Sequence, residues 1–142
     1  MHAQDITHRD IKLENIIVDR KKVKLLDFGF SCISKEKLKI FCGTPSYMAP
    51  EIVSKREYFG GPADLWAAGV LLYYILYGTL PFKSVTTEKE LFRKINRGLF
   101  NLQVPGTSEA KDLLKSLLQV EPAQRLSASE ALKHPWFHYA HQ

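Results

Sequence analysis

From residue 87 onward, apolar positions recur at the three- and four-residue spacing of helices that bury one face. Thr87 and Glu90 make a capping box, Phe92 and Ile95 give an inward stripe, and Gly98 closes the segment, which predicts one amphipathic helix. Behind Ser108 as N-cap, Ala110, Leu113, Leu114, Leu117 and Leu118 predict a second. Ser127 and Glu130 make another capping box and open a third, which stops near His134 because Pro135 follows. The stretch LWAAGVLLYYILY at 65–77 is apolar all round. Its 13 residues are too few for a membrane span, which needs about 20. It is expected as the buried central post of the domain, capped by Asp64 and ended by Gly78. Strand signal survives only early, where NIIVDRKKVKLLDFG predicts strands Ile16 to Val18 and Val23 to Leu26 joined by a charged turn. No repeat, low-complexity tract or linker breaks the pattern, so one domain over 1–142 is expected.

Composition narrows the classes. A hydrophobic fraction of 45% over 142 residues is enough to bury a core. The net charge of +5 is spread along the chain; its densest cluster, Arg20, Lys21, Lys22 and Lys24, reads as a hairpin tip, so no nucleic-acid partner is expected. Cys32 and Cys42 lack C-x-x-C spacing and no signal peptide precedes them, which fits an intracellular, cytoplasmic setting. His134, His138 and His141 have no carboxylate or thiolate framework for zinc.

The stretch HRDIKLENIIVD at 8–19 changes the picture. A charged run alone is usually a solvated loop or helix face, so its neighbours decide. Asp10 and Asn15 precede the predicted hairpin and Asp27 follows it. Folding the hairpin returns Asp27 to the end of the ribbon that holds Asn15, and three oxygen-bearing side chains converge. An amide and a carboxylate suit Mg²⁺, which takes few protein ligands and completes its shell with water and phosphate oxygens, and Asp10 is left free to accept a proton.

These residues resemble the eukaryotic protein kinases. HRDIKLEN is similar to their catalytic loop, DFG at 27–29 to their metal-binding turn and APE at 49–51 to the end of their activation segment, in the same order. DLWAAG at 64–69, PAQR at 122–125 and HPWF at 134–137 extend the resemblance over nearly the whole chain. It implies an α+β kinase-like fold, here mainly α: the large, C-terminal lobe, with a short β-hairpin that carries the catalytic loop and the DFG turn. It implies transfer of the ATP γ-phosphate to Ser or Thr hydroxyls of protein substrates, with ATP and Mg²⁺ bound. By the same resemblance Asp10 orients the acceptor hydroxyl and takes its proton, and Lys12 steadies the phosphoryl group, Lys at that spacing marking the serine/threonine type. Asn15 and Asp27 hold the metal, Ile17 forms the floor under adenine, and Lys12 and Glu14 complete the nucleotide-side set. Thr44 resembles the hydroxyl that bridges Asp10 and Lys12. His8, Arg9, Phe28, Gly29 and Asp64 take structural roles: His8 and Phe28 resemble members of an internal hydrophobic column, and Asp64 bonds the catalytic-loop backbone. Glu51 and Arg125 are expected as a buried ion pair. Capped helices, core aromatics and ordinary loop residues remain the plain alternatives for several of these positions. Glu14 matches a position that receives a basic side chain upstream of the acceptor, while Tyr74 stands where strongly basophilic relatives carry a second carboxylate, so at most a mild basic preference is expected. KLEN, FCGTPSYMAPE and DLWAAGVLLYYILYGTLPF lean toward the calmodulin-dependent and AMP-activated kinase group.

Two departures from the family pattern matter. Ile40 occupies the position where many relatives carry a phosphorylated threonine, so Arg9 lacks its usual phosphate partner and activity is expected not to depend on phosphorylation there. The chain also begins only seven residues before His8, with no glycine-rich loop, strand lysine or regulatory-helix glutamate ahead of the catalytic loop. The small lobe is expected upstream, this chain alone is expected to transfer little phosphate, and an apolar patch is expected on its surface. A truncated, non-catalytic module that binds substrates or partners is the alternative reading.

Overall fold

A computed structural model describes residues 1–141, with side chains given as far as His138. Helices make the body. They are α1 (Pro50–Val53), α2 (Gly60–Tyr77), α3 (Glu88–Arg97), α4 (Ser108–Leu117) and α5 (Ala128–Ala131). Four short strands form two antiparallel ribbons, β1 (Ile6–Thr7) with β4 (Cys32–Ile33), and β2 (Ile16–Asp19) with β3 (Lys22–Leu25).

The long helix α2 is the post around which the rest packs. Trp66 and Val70 are fully buried, and Trp66 stacks on Phe82 with ring centroids 5.7 Å apart. Leu65 meets Leu113 and Leu117 of α4, while Ile95 and Leu91 turn the apolar face of α3 into the core. Gly69 lets α4 approach closely: a Cβ there would lie 2.9 Å from that of Leu117. Gly78 ends α2 in the left-handed conformation, its N–H bonded to the Tyr74 carbonyl at 2.8 Å.

Several boundaries differ from the sequence expectations. Helix α2 begins at Gly60, so Asp64 lies inside it and caps nothing, and the last turn comes to the surface, with Ile75 and Leu76 exposed. The N-cap of α4 is Thr107, whose hydroxyl accepts from Ala110 N; Ser108 beside it is the first helical residue. Thr87 does cap α3, but Glu90 reaches back to Thr86 N and leaves the capping box incomplete. The box of Ser127 and Glu130 is complete, although α5 closes at Ala131, before His134. The β2–β3 ladder runs one residue further at each side of the turn, to Asp19 and Lys22, because Arg20 and Lys21 both take positive φ in a two-residue turn whose twist matches the strands. The β1–β4 pair and α1 were not anticipated: strands of two residues show no alternation, and a helix of four shows no period. Among the described residues no helix is long and apolar enough to cross a membrane.

Candidate active site

The site begins with the loop before β2. Asp64 reaches from α2 and accepts the backbone N–H groups of His8 and Arg9, each at 2.9 Å, on its two carboxylate oxygens, and His2 Nε2 adds a third contact at 2.8 Å. These bonds hold Arg9 at φ 67°, a left-handed conformation that a long side chain adopts only when its surroundings enforce it. His8 is fully buried. Its Nδ1 accepts from Asp10 N at 3.2 Å, so Nε2 carries the proton and donates to the Leu26 carbonyl at 2.7 Å. The ring also meets Phe28 edge to face, centroids 4.9 Å apart. One histidine therefore ties the Asp10 loop to the chain leaving β3.

Asp10 is buried at the centre of the site. Thr44 donates its hydroxyl hydrogen to Asp10 Oδ1 at 2.8 Å. Lys12 Nζ donates to Thr44 Oγ1 at 3.0 Å and lies 3.3 Å from Asp10 Oδ2. Asn15 Nδ2 donates to the Asp10 carbonyl at 2.8 Å and approaches Asp10 Oδ2 at 3.3 Å. With its nitrogen so engaged, Asn15 keeps Oδ1, which accepts no hydrogen bond among the described residues, as its available donor atom for a cation.

Asp27 reaches the same end of the ribbon through the backbone, since Leu26 N donates to the Asn15 carbonyl at 2.8 Å. Asp27 sits at φ 55°, exposed, and its Oδ1 accepts Gly29 N at 3.1 Å. A Cβ on Gly29 would press against that oxygen at 3.1 Å, and one on Gly43, at φ 111°, would meet the Arg9 carbonyl at 2.8 Å. Gly43 is required there by close approach to backbone and by its positive φ, whereas at Gly29 the neighbour is the end of a side chain. An amide oxygen and a carboxylate are a donor set of the hard, oxygen-only kind that Mg²⁺ takes, with water and phosphate filling the remaining positions. No group of three or more His, Cys, Asp and Glu side chains converges on a metal-sized site among the described residues, so any cation here takes part of its shell from outside the protein.

Below the site, Glu51 and Arg125 form a buried bidentate pair with N···O distances of 2.8 and 3.1 Å. Arg125 also donates to the carbonyls of Pro62 and Gln119 and lies over the Trp66 ring, 5.2 Å from its centroid. Not every predicted residue joins the Asp10 cluster. Ile17 is 46% exposed on the ribbon surface. Glu14 is exposed as well and faces Tyr47 together with Tyr74; burial, reinforced by these two neighbours, pushes the Tyr47 hydroxyl up from its ordinary pKa.

Tyr58 was missed. It is buried, donates to the Ile40 carbonyl at 2.8 Å and stands beside Arg9. Burial pushes its hydroxyl up to about 12. Burial alone would lower the Arg9 pKa, but the Tyr58 hydroxyl and the thiols of Cys42 and Cys32 raise it. A lone tyrosine in the polar stretch SKREYFG carries no signal of such a contact. His134 meets a carboxylate after all, Asp112 Oδ2 at 3.1 Å, a hydrogen-bonded contact without further ligands among the described residues; the side chain of His141 lies outside them.

Residues 1–137 match the protein kinase domain family. Among curated relatives, the chain is 40% identical to the probable serine/threonine-protein kinase HSL1 of Saccharomyces cerevisiae, over 94% of this chain and 9% of that protein. It is 42% identical to the serine/threonine-protein kinase DCLK3 of Mus musculus, over 96% of this chain and 18% of the relative. It is 41% identical to the SNF1-related protein kinase catalytic subunit alpha KIN12 of Arabidopsis thaliana, over 96% and 28%. The chain thus spans less than a third of the length of each of these three relatives. A match over nearly its full length, on residues that the fold gathers around Asp10, means that this chain belongs to the protein kinase family.

Proposed function

We propose that this chain supplies the catalytic-loop side of a serine/threonine protein kinase, the large lobe of the domain, and that the reaction is transfer of the ATP γ-phosphoryl group to a Ser or Thr hydroxyl of a protein. The observation that supports this most directly is the three-way contact of Asp10, Lys12 and Thr44. It leaves a buried carboxylate oriented beside a cation, at the end of the ribbon where Asn15 and Asp27 emerge. In the proposed reaction the acceptor oxygen forms a bond to the γ-phosphorus, the bond to the β–γ bridging oxygen breaks, ADP leaves, and the hydroxyl proton passes to Asp10. Lys12 faces the transferred group, and Thr44 keeps Asp10 turned toward the acceptor. Asn15 Oδ1 and the Asp27 carboxylate would hold Mg²⁺, which when bound neutralises charge on the nucleotide phosphates. Ile17 would lie under the adenine, and Glu14 would meet a basic side chain upstream of the acceptor. Tyr58 holds the Ile40 carbonyl and flanks Arg9, which supports activity without a phosphate at that point. The exposure of Ile17 favours a second reading, a binding module without turnover.

Two measurements separate these readings. Mn²⁺-dependent binding of a fluorescent ATP analogue is expected to weaken in Asp27→Asn and to persist in Asp10→Asn, whereas phosphate transfer to a serine peptide is expected to fall by about a hundredfold or more in Asp10→Asn. Equal metal-dependent nucleotide binding in the parent chain and Asp27→Asn would sink the assignment of Asp27.

A further inference from the structure

The β2–β3 ribbon runs outward from the site and ends in a charged tip. Ile16 and Leu25, paired at its base, are half-buried, and Ile16 packs against the core. Three residue steps further out, about 10 Å along the strands, Asp19 pairs with Lys22 and the chain turns through Arg20 and Lys21. Every residue from 18 to 24 is exposed. Val18 and Val23 stand opposite each other on one face of the ribbon. Arg20, Lys21, Lys22 and Lys24 gather around the single carboxylate of Asp19, whose Oδ2 lies 3.7 Å from Lys24 Nζ.

Folding does not account for this tip. A two-residue turn with both residues at positive φ favours Asn and Gly, which take that conformation cheaply; here Arg20 at 43° and Lys21 at 71° hold it instead. The ribbon would also be served as well by threonine as by valine at two exposed positions. Charge alone is ordinary for a solvated surface, but cations beside an exposed apolar pair on a projecting tip suit the boundary between water and lipid. The aliphatic stems of Arg20 and Lys21 can lie along hydrocarbon while their heads reach phosphate. Lys22 and Lys24, on the face opposite the valines, stay in water within a Debye length of a charged surface. A single-stranded nucleic acid calls for aromatic side chains on which bases stack, and residues 18 to 24 include none. An acidic peptide calls for pockets that receive its side chains, and a sheet of two strands has no wall beside the cations to form them.

We infer that the β2–β3 tip is a peripheral membrane contact: Arg20 and Lys21 meet the headgroups of an anionic leaflet, and Val18 and Val23 enter its interfacial layer. Asn15 and Leu26, whose backbone bond brings Asp27 to the site, lie at the other end of the ribbon, so the contact holds the chain at a bilayer and leaves the Asp10 cluster open. The inference does not depend on the phosphoryl-transfer reading.

Sedimentation of the 142-residue chain with vesicles of one part phosphatidylserine to two parts phosphatidylcholine, and with vesicles of phosphatidylcholine alone, tests the proposal. The mixed vesicles are expected to carry the chain down, less so as salt is added, and the neutral ones to carry little. Each cation at such a surface is worth about fivefold in partition, so the double variant Arg20→Asn, Lys21→Gly should lose about twentyfold or more. That variant gives the turn the residues it favours, so its melting temperature should equal or exceed the parent's and the loss will not come from unfolding. The pair Val18→Thr, Val23→Thr keeps the β-branched shape and every charge, and should still weaken binding severalfold. Lys133→Gln, outside the ribbon, should bind as the parent does. Should the Asn–Gly variant melt lower, Arg20→Gln, Lys21→Gln and the threonine pair carry the comparison. Equal sedimentation with both vesicle types, none with the mixed ones, undiminished binding of the Asn–Gly variant or of the threonine pair, or displacement from the vesicles by oligothymidylate or polyglutamate at a lower concentration of charge than the lipid's would each overturn the inference. No readout here involves phosphate transfer, so a chain that binds vesicles but transfers nothing would leave the membrane contact standing and count against the catalytic reading instead.

Discussion

Arg125 spends every side-chain donor on the buried Glu51 carboxylate and the half-buried carbonyls of Pro62 and Gln119, and Glu51 depends on it for both of its oxygens. Removing one member of such a pair is worse than replacing both, because the survivor stays charged in a place without water. Arg125→Ala is accordingly expected to lower the unfolding free energy by about 3 to 5 kcal/mol, read by urea denaturation, and an unchanged midpoint would refute the pairing's role. Tyr58 gives a pH-dependent prediction. A hydroxyl whose folded pKa stands near 12, against about 10 in the unfolded chain, contributes stability that is fully present below pH 10 and is lost as pH rises through 12. Tyr58→Phe cannot ionise. The stability gap between parent and variant, measured by denaturation across pH 9 to 12, should therefore shrink steadily at the alkaline end; a constant gap would place the shift elsewhere. At this scale the placement was legible where spacing fixes it: Asn15 bonds the Asp10 carbonyl, and Leu26, next to Asp27, bonds the Asn15 carbonyl. It was not legible for Tyr58 or for His2, whose partners lie 18 and 62 residues away and leave no local trace.

Among the elements, α2 and α4 show two effects in opposition. Gly69 inside α2 costs that helix up to about 1 kcal/mol relative to alanine. A methyl group there, however, would lie 2.9 Å from Leu117 Cβ and about 3 Å from the end of Leu118, and Leu117 Cβ cannot swing aside without moving the backbone of α4. Overpacking of this kind costs about 1 to 3 kcal/mol, which outweighs the gain in propensity. Gly69→Ala should therefore melt at a lower temperature than the parent; a higher melting point would mean that α4 yields. Periodicity located α3 and α4 because each is amphipathic, and the stops at Gly78 and Gly98 were plain because only glycine takes those left-handed caps cheaply. The start of α2 was hidden for a physical reason. The same Asp64 that looks like an N-cap in sequence has its carboxylate drawn to the backbone of His8 and Arg9, and that demand is set by tertiary packing.

Across the whole molecule, the two ribbons carry large apolar side chains that lie exposed. Val18 and Val23 face each other across the β2–β3 ladder and are 70% and 69% exposed, Ile33 on β4 is 77% exposed, and Phe28 and Phe30 lie nearly half open on the chain between. A two-stranded ribbon is marginal by itself, so this face combines weak local order with accessible apolar surface. The sequence pattern located the ribbon at NIIVD and KVKLL, but it could not say which side chains would be left outside. Ile17, next to Val18 in β2 and paired with Lys24, points to the opposite side of the ribbon and is 46% exposed there. The chain is expected to enhance the fluorescence of a hydrophobic dye such as anilinonaphthalene sulfonate while still folded. The double variant Val18→Lys, Val23→Glu should reduce that enhancement, because it replaces an exposed apolar pair by an opposite-charge pair at the same register, and its melting temperature should stay close to the parent's. Dye binding that is unchanged in the double variant would mean that the accessible apolar surface lies elsewhere, in the groove beside Leu65 and Leu132 on the opposite flank of α2.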